Sequence, residues 1–197
     1  MHPKQSSSSG GDYWITSTSA LSNAFRDNDS GFIVEKIDQL LGAIEQTEHS
    51  TTKSQFQRNI NILRNFEDFD FTKWHPEEDL VFLSKPKSIS IFTVDGLPIQ
   101  VRPNHVFSFE RDGKNHIGAI WFVAVKEGYN ITELSIFTDA LFRYLKLHYS
   151  KDYVINKSLC VTVDAVSLKE LDYNYFKEHK MKSKLRKTIA EIKAYLN

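Results

Sequence analysis

The chain has 197 residues, its 25 Lys and Arg are balanced by 25 Asp and Glu, and it holds a single Cys. One cysteine excludes an internal disulfide, and a net charge of zero excludes broad attraction to nucleic acid or anionic lipid, so any such binding needs a local basic patch. No uninterrupted apolar stretch is long enough to span a bilayer and no apolar run follows basic residues at the N-terminus, so the expected location is cytoplasmic with no membrane partner.

A chain of this length buries enough apolar surface to sustain one hydrophobic core without a structural metal. The serine run 6–9 with Gly10 and Gly11 lacks periodicity, which predicts a flexible arm over 1–20 and one globular domain over 21–197. The adjacent aromatics Tyr13 and Trp14 are expected to pack back on their own domain. From Phe32, the residues Ile33, Ile37, Leu40, Leu41 and Ile44 recur at helical spacing, with Ser30 placed as a cap. A polar stretch over 49–52 separates them from a second stripe, Phe56, Ile60, Leu63 and Phe66, and the two helices are expected to form an antiparallel hairpin. The acidic, aromatic segment 67–79, interrupted by Pro76, reads as irregular.

The period then changes from helical to alternating. Residues 88–94 and 97–101 flank Asp95-Gly96, and 105–110 and 115–125 flank Asp112-Gly113; both dipeptides favour tight hairpin turns. The reading is a three-stranded antiparallel meander whose middle strand bends near Arg102, because Pro98 and Pro103 cannot donate ladder hydrogen bonds. Asn130 and Glu133 are spaced as a capping box ahead of a helix carrying Phe137, Ala140, Leu141, Tyr144 and Leu145 on one face. The segment 159–166 reads as a buried strand, and a helix between two strands predicts a crossover to a parallel neighbour. The last element is a basic helix with Met181, Leu185, Ile189, Ile192 and Leu196 as its apolar stripe. The fold class is α+β (α/β), a mixed sheet with helices on its faces.

This order of elements resembles the core of the restriction-endonuclease-like PD-(D/E)XK nucleases over roughly 85–170. The stretch Val101-Arg102-Pro103-Asn104-His105-Val106-Phe107 is similar to the PD half-motif. Gly118-Ala119-Ile120-Trp121-Phe122-Val123-Ala124-Val125-Lys126 is similar to the strand that carries (D/E)XK. In active members the acids hold a divalent metal and the lysine orients the attacking water. Here Asn104 stands at the aspartate position, and the acid position is Ala124 if Lys126 is the lysine, or Ile120 if the match shifts to Phe122. The resemblance therefore implies a catalytically inactive nuclease-like core that binds nucleic acid or protein, with no cofactor. The alternative it implies is a divergent nuclease using Lys126, Glu133 and Asn104, with Glu110 nearby, on Mg or Mn. The chain also resembles uncharacterised bacterial proteins with the same Gly-Ala-Ile-Trp-Phe strand, which imply no activity.

Other chemistries lack their patterns. No glycine-rich phosphate loop follows a strand, no serine lies in a nucleophile elbow, and the seven His never fall at metal-ligand spacing with one another or with Cys160, so no metal site is expected. Cys160, among valines, reads as a small apolar group. Charge is distributed unevenly: acids dominate 27–48, and Lys180, Lys182, Lys184, Arg186 and Lys187 crowd the last helix as candidates for contact with phosphates. Such a run is also explained as a solvated helix face. A protein-interaction role on an unrelated fold is the third expectation, and the oligomeric state is left open.

Overall fold

The computed structural model describes residues 13–84 and 91–196. The chain divides into two compact units, 1–70 and 71–197, a finer division than the one domain expected over 21–197.

The first unit is built on helices α1 (Ile15–Asp27), α2 (Gly31–Gln46) and α3 (Ser50–Arg64), which pack on one another. The arm expected over 1–20 is corrected here: α1 begins at Ile15, and residues 1–12 lie outside the described residues. Its apolar spacing, Ala20, Leu21, Ala24 and Phe25, all buried, reaches across the boundary drawn at 20. Asn28, in the left-handed region at φ 49°, ends α1 and donates its N–H to Ala24 O. Ser30 sits at the expected cap position but its side chain makes no capping bond; Asp29 Oδ1 accepts from Gly31 N at 2.8 Å instead. Tyr13 does pack back on its own unit, and Trp14 meets its ring edge-on at 4.6 Å. The Tyr13 carbonyl accepts from buried Asn59 Nδ2 at 3.1 Å, and its hydroxyl accepts from Arg58 at 2.9 Å.

The second unit opens with a 3-10 turn, Phe71–Trp74, followed by β1 (Val81–Phe82), β2 (Ile91–Val94), β3 (Leu97–Gln100), β4 (His105–Arg111) and β5 (Lys114–Val123). Then come α4 (Ile131–Tyr149), β6 (Val154–Asp164), β7 (Glu170–Asp172), α5 (Tyr175–Glu178) and α6 (Leu185–Leu196). Both expected hairpin turns form: Asp95 and Gly96 have φ of 48° and 86°, and Asp112 and Gly113 have 53° and 68°. Positive φ at both central residues matches the twist of the flanking strands. The turns set the registers Val94↔Leu97 and Arg111↔Lys114. The start of the first expected strand, 88–90, lies outside the described residues.

The fold is α+β with a mixed five-stranded sheet in the order β1-β4-β5-β6-β7. The pairs β1–β4, β4–β5 and β6–β7 are antiparallel, and β5–β6 is parallel across the α4 crossover, as expected. Membership of the antiparallel trio differs from expectation. The hairpin β2–β3 forms its own sheet, and β1 takes the edge beside β4. The physical cause lies at Val101 to Asn104, where the chain leaves strand geometry at Pro103, so the bend expected near Arg102 is a full break.

Trp121 and Phe122 point to opposite faces of β5, as alternation requires. Trp121 meets Phe137 of α4 edge-on at 5.6 Å, and Phe122 meets Trp74 at 5.8 Å. On the α4 side, Val106, Ile117, Ala119 and Cys160 of the sheet pack with Leu141, Tyr144 and Leu145 of α4, Leu185 and Ile189 of α6, and Val94 of the hairpin. Gly118 lies opposite Phe107 in the β4–β5 register. A Cβ there would sit 2.7 Å from the Phe107 ring and 2.8 Å from Leu159 O, so glycine lets β6 approach where its register with β5 shifts.

Candidate binding cleft

Two of the three residues placed by the resemblance are engaged locally. Asn104 Oδ1 accepts from Phe122 N at 2.8 Å and Asn104 N donates to Ile120 O at 2.9 Å, so its amide continues the β4–β5 ladder past the break. Glu133 closes the capping box of α4: its carboxylate accepts from Asn130 N at 2.9 Å while Asn130 Oδ1 accepts from Glu133 N at 3.0 Å. Lys126 is exposed and reaches Glu127 at 3.6 Å. Among the described residues no group of three or more His, Cys, Asp or Glu side chains is arranged to hold a metal ion. His105 and His116 do not meet. His105 packs edge-on to Phe82 at 5.0 Å, and His116 stacks on Phe109 at 5.4 Å.

One buried acid does stand at the C-terminal end of the parallel strands. Asp164 accepts from Tyr129 N at 2.7 Å, from Val166 N at 3.1 Å and from the Ser167 hydroxyl. Its carboxylate ties the loop before α4 to the loop after β6. A Cβ at Gly128, where φ is +69°, would come within 2.7 Å of Asp164 Oδ2. Three donors satisfy this buried carboxylate.

The basic run is not one helix. Lys180 adopts φ 49°, donates to Lys177 O at 3.4 Å, and Met181 N donates to Phe176 O at 3.0 Å, which is the hydrogen-bond pattern of a left-handed helix stop. The expected helix is therefore corrected: Lys180, Lys182 and Lys184 precede α6, and only Arg186 and Lys187 of the five candidates lie within it. Ser183 restarts the helix by accepting from Leu185 N at 3.0 Å. The restart is fixed to α4, because Lys184 N donates to Ser135 Oγ at 3.2 Å and the Ser183 hydroxyl donates to Ser135 O at 3.3 Å. Leu185 and Ile189 are buried, whereas Ile192 and Leu196 are not.

This docking leaves an open cleft of about 520 Å³ between α4, α5 and the start of α6. Its walls carry the cations Arg143, Lys182 and Arg186, the rings Tyr173 and Phe176, and the acid Asp139. Arg143 is held by Asp139 through Nε at 3.0 Å and Nη2 at 3.3 Å, the acid being nearly buried, which fixes the guanidinium while leaving further N–H donors on it. Tyr173 stacks flat on Phe142 at 3.6 Å, with Phe176 5.2 Å away. Arg186 reaches Asp95 at 3.6 Å, both side chains exposed, a pairing weak enough for an anion to displace. Burial raises the Tyr173 phenol, with Asp139 adding to the effect, so the ring is neutral at physiological pH. Burial also pushes the Cys160 thiol well up, in keeping with its reading as an apolar group.

A second groove, of about 550 Å³, runs between α4 and the β2–β3 hairpin, and Arg143 lines it too, with Lys146, Leu147 and Phe92. The i,i+4 spacing of Asp139 and Arg143 was the available sequence signal for the cleft. Tyr173 had none, since β7 and the turn into α5 show no periodicity. No protein-family model, curated protein or solved structure matches the chain. No helix among the described residues is long and apolar enough to cross a membrane.

Proposed function

We propose that residues 71–197 form a nucleic-acid-binding module on a nuclease-like core that carries out no hydrolysis. The observation that carries this reading is the cleft itself, where Arg143, Lys182 and Arg186 stand beside Tyr173 and Phe176. Cations that neutralise phosphates, set among aromatic faces that receive bases, are the two elements such binding uses. The local hydrogen bonds of Asn104 and Glu133 support the non-catalytic half of the reading, because each side chain already has a structural partner.

The test is fluorescence anisotropy with labelled oligonucleotides, comparing the protein with Lys182→Glu/Arg186→Glu. Binding that needs no Mg or Mn and is abolished by the double reversal supports the reading. Metal-dependent strand cleavage that is lost in Lys126→Ala would instead establish the divergent nuclease.

A second reading, a protein-interaction module, has its own observation. The last turns of α6 expose Ile192 at 41%, Leu196 at 69% and Tyr195 at 91%. Apolar side chains left in water beyond the packed half of a helix suit a protein partner.

A further inference from the structure

We propose that the cleft and the groove form one track for a single-stranded polynucleotide, an inference that rests on the nucleic-acid reading above. Arg143 lines both depressions, so they are neighbours along α4. Along α4 the lining residues Asp139, Arg143, Lys146, Leu147 and Ser150 recur at three- and four-residue spacing, which places them on one helix face. That face runs for about 16 Å at a rise of about 1.5 Å per residue, enough for about two to three nucleotides of an extended strand.

The chemistry is mixed along this path. Lys182, Arg186, Tyr173 and Phe176 line the cleft, Arg143 lines both depressions, and Lys146, Leu147 and Phe92 line the groove. Phosphates face the cations and bases face the rings and apolar walls, an arrangement a single strand adopts because its bases are turned outward. A duplex keeps its base faces stacked inside, so the aromatic walls would find no face to stack on. Asp139 does not oppose the anion at full strength, since two donors of Arg143 already bind it.

The experiment measures anisotropy of labelled strands of about 12 nucleotides, oligo-dT and oligo-U in parallel, against salt, for the full chain and for Lys146→Ala and Lys182→Ala. Both lysines are exposed, so neither change should disturb folding. The expected result is that each variant makes the slope of log affinity against log salt less negative by about 0.7, because each removes one contact to a single-strand phosphate. A duplex of the same length should bind at least about fivefold more weakly, the equivalent of one lost base stack. The better of the two strands identifies DNA or RNA as the source. If Lys146→Ala keeps the parent slope, or the duplex binds as tightly as the strand, the track is overturned while the binding role stands. If no nucleic acid binds at low salt, or polyglutamate competes equally well, the binding role itself is overturned.

Discussion

Asn104 and Phe122 are joined by a side-chain to main-chain hydrogen bond of 2.8 Å, so the amide at the position expected for a metal-binding aspartate serves as a strand partner. Removing the acceptor leaves a strand N–H unpaired beside a buried residue. Asn104→Ala should therefore destabilise the protein by about 1–2 kcal/mol in denaturant unfolding, and Asn104→Asp, which keeps an oxygen there, should cost less. Equal stability of Asn104→Ala and the parent would return the residue to the list of functional candidates.

Glu133 and Asn130 satisfy each other's backbone donors at the start of α4. Asn130→Ala should lower stability by about 1 kcal/mol, and Glu133→Ala should act in the same direction through the same cap. The check is thermal unfolding of both variants. An unchanged melting temperature in Glu133→Ala would contradict the capping role.

Gly118 has no room for a methyl group between the Phe107 ring and Leu159 O. Gly118→Ala should cost about 1–3 kcal/mol by overpacking, since one of the close atoms is backbone and cannot swing away. Urea unfolding measures it, and a neutral substitution would mean that β6 is not held as close to β5 as described.

Arg111 grips Glu78 through both carboxylate oxygens, at 2.5 and 2.8 Å, and holds that carboxyl below its ordinary range. A lowered acid contributes stability that is present above its unfolded pKa of about 4.3 and is lost as pH falls through the folded value. Glu78→Gln should thus be less stable than the parent at neutral pH, and the gap should close as the solution is acidified below about pH 4.3. A gap that stays constant to the acid limit would mean that the ion pair is not its source.

Much of this fold was legible in the sequence because its signals are local. Asp95-Gly96 and Asp112-Gly113 dictate their turns through φ alone, and Asn130 with Glu133 marks a helix start within four positions. The periodicity of α4 and the valine-rich run before Val166 gave the parallel crossover. What local pattern did not carry was partner choice. Nothing near Val81 and Phe82 announces that β1, rather than β2, pairs with β4, because the break at Pro103 acts only through the distant edge it vacates. The cleft was half legible for the same reason. Lys182 and Arg186 stood out as charge, but Arg143, Tyr173 and Phe176 join them only once Ser135 has fixed the start of α6 against α4. The split of the basic run at Lys180 depends on a left-handed residue that is neither glycine nor asparagine, which no composition rule flags.

The central claim is tested most directly by the salt dependence of binding between the unmodified protein and a labelled single strand. Measurable affinity at low salt and a log–log slope of about −2 are expected, from about three phosphates at Lys182, Arg186 and Lys146 at about 0.7 each, Arg143 being already paired with Asp139. A slope near zero, or no binding at the lowest salt, would contradict it.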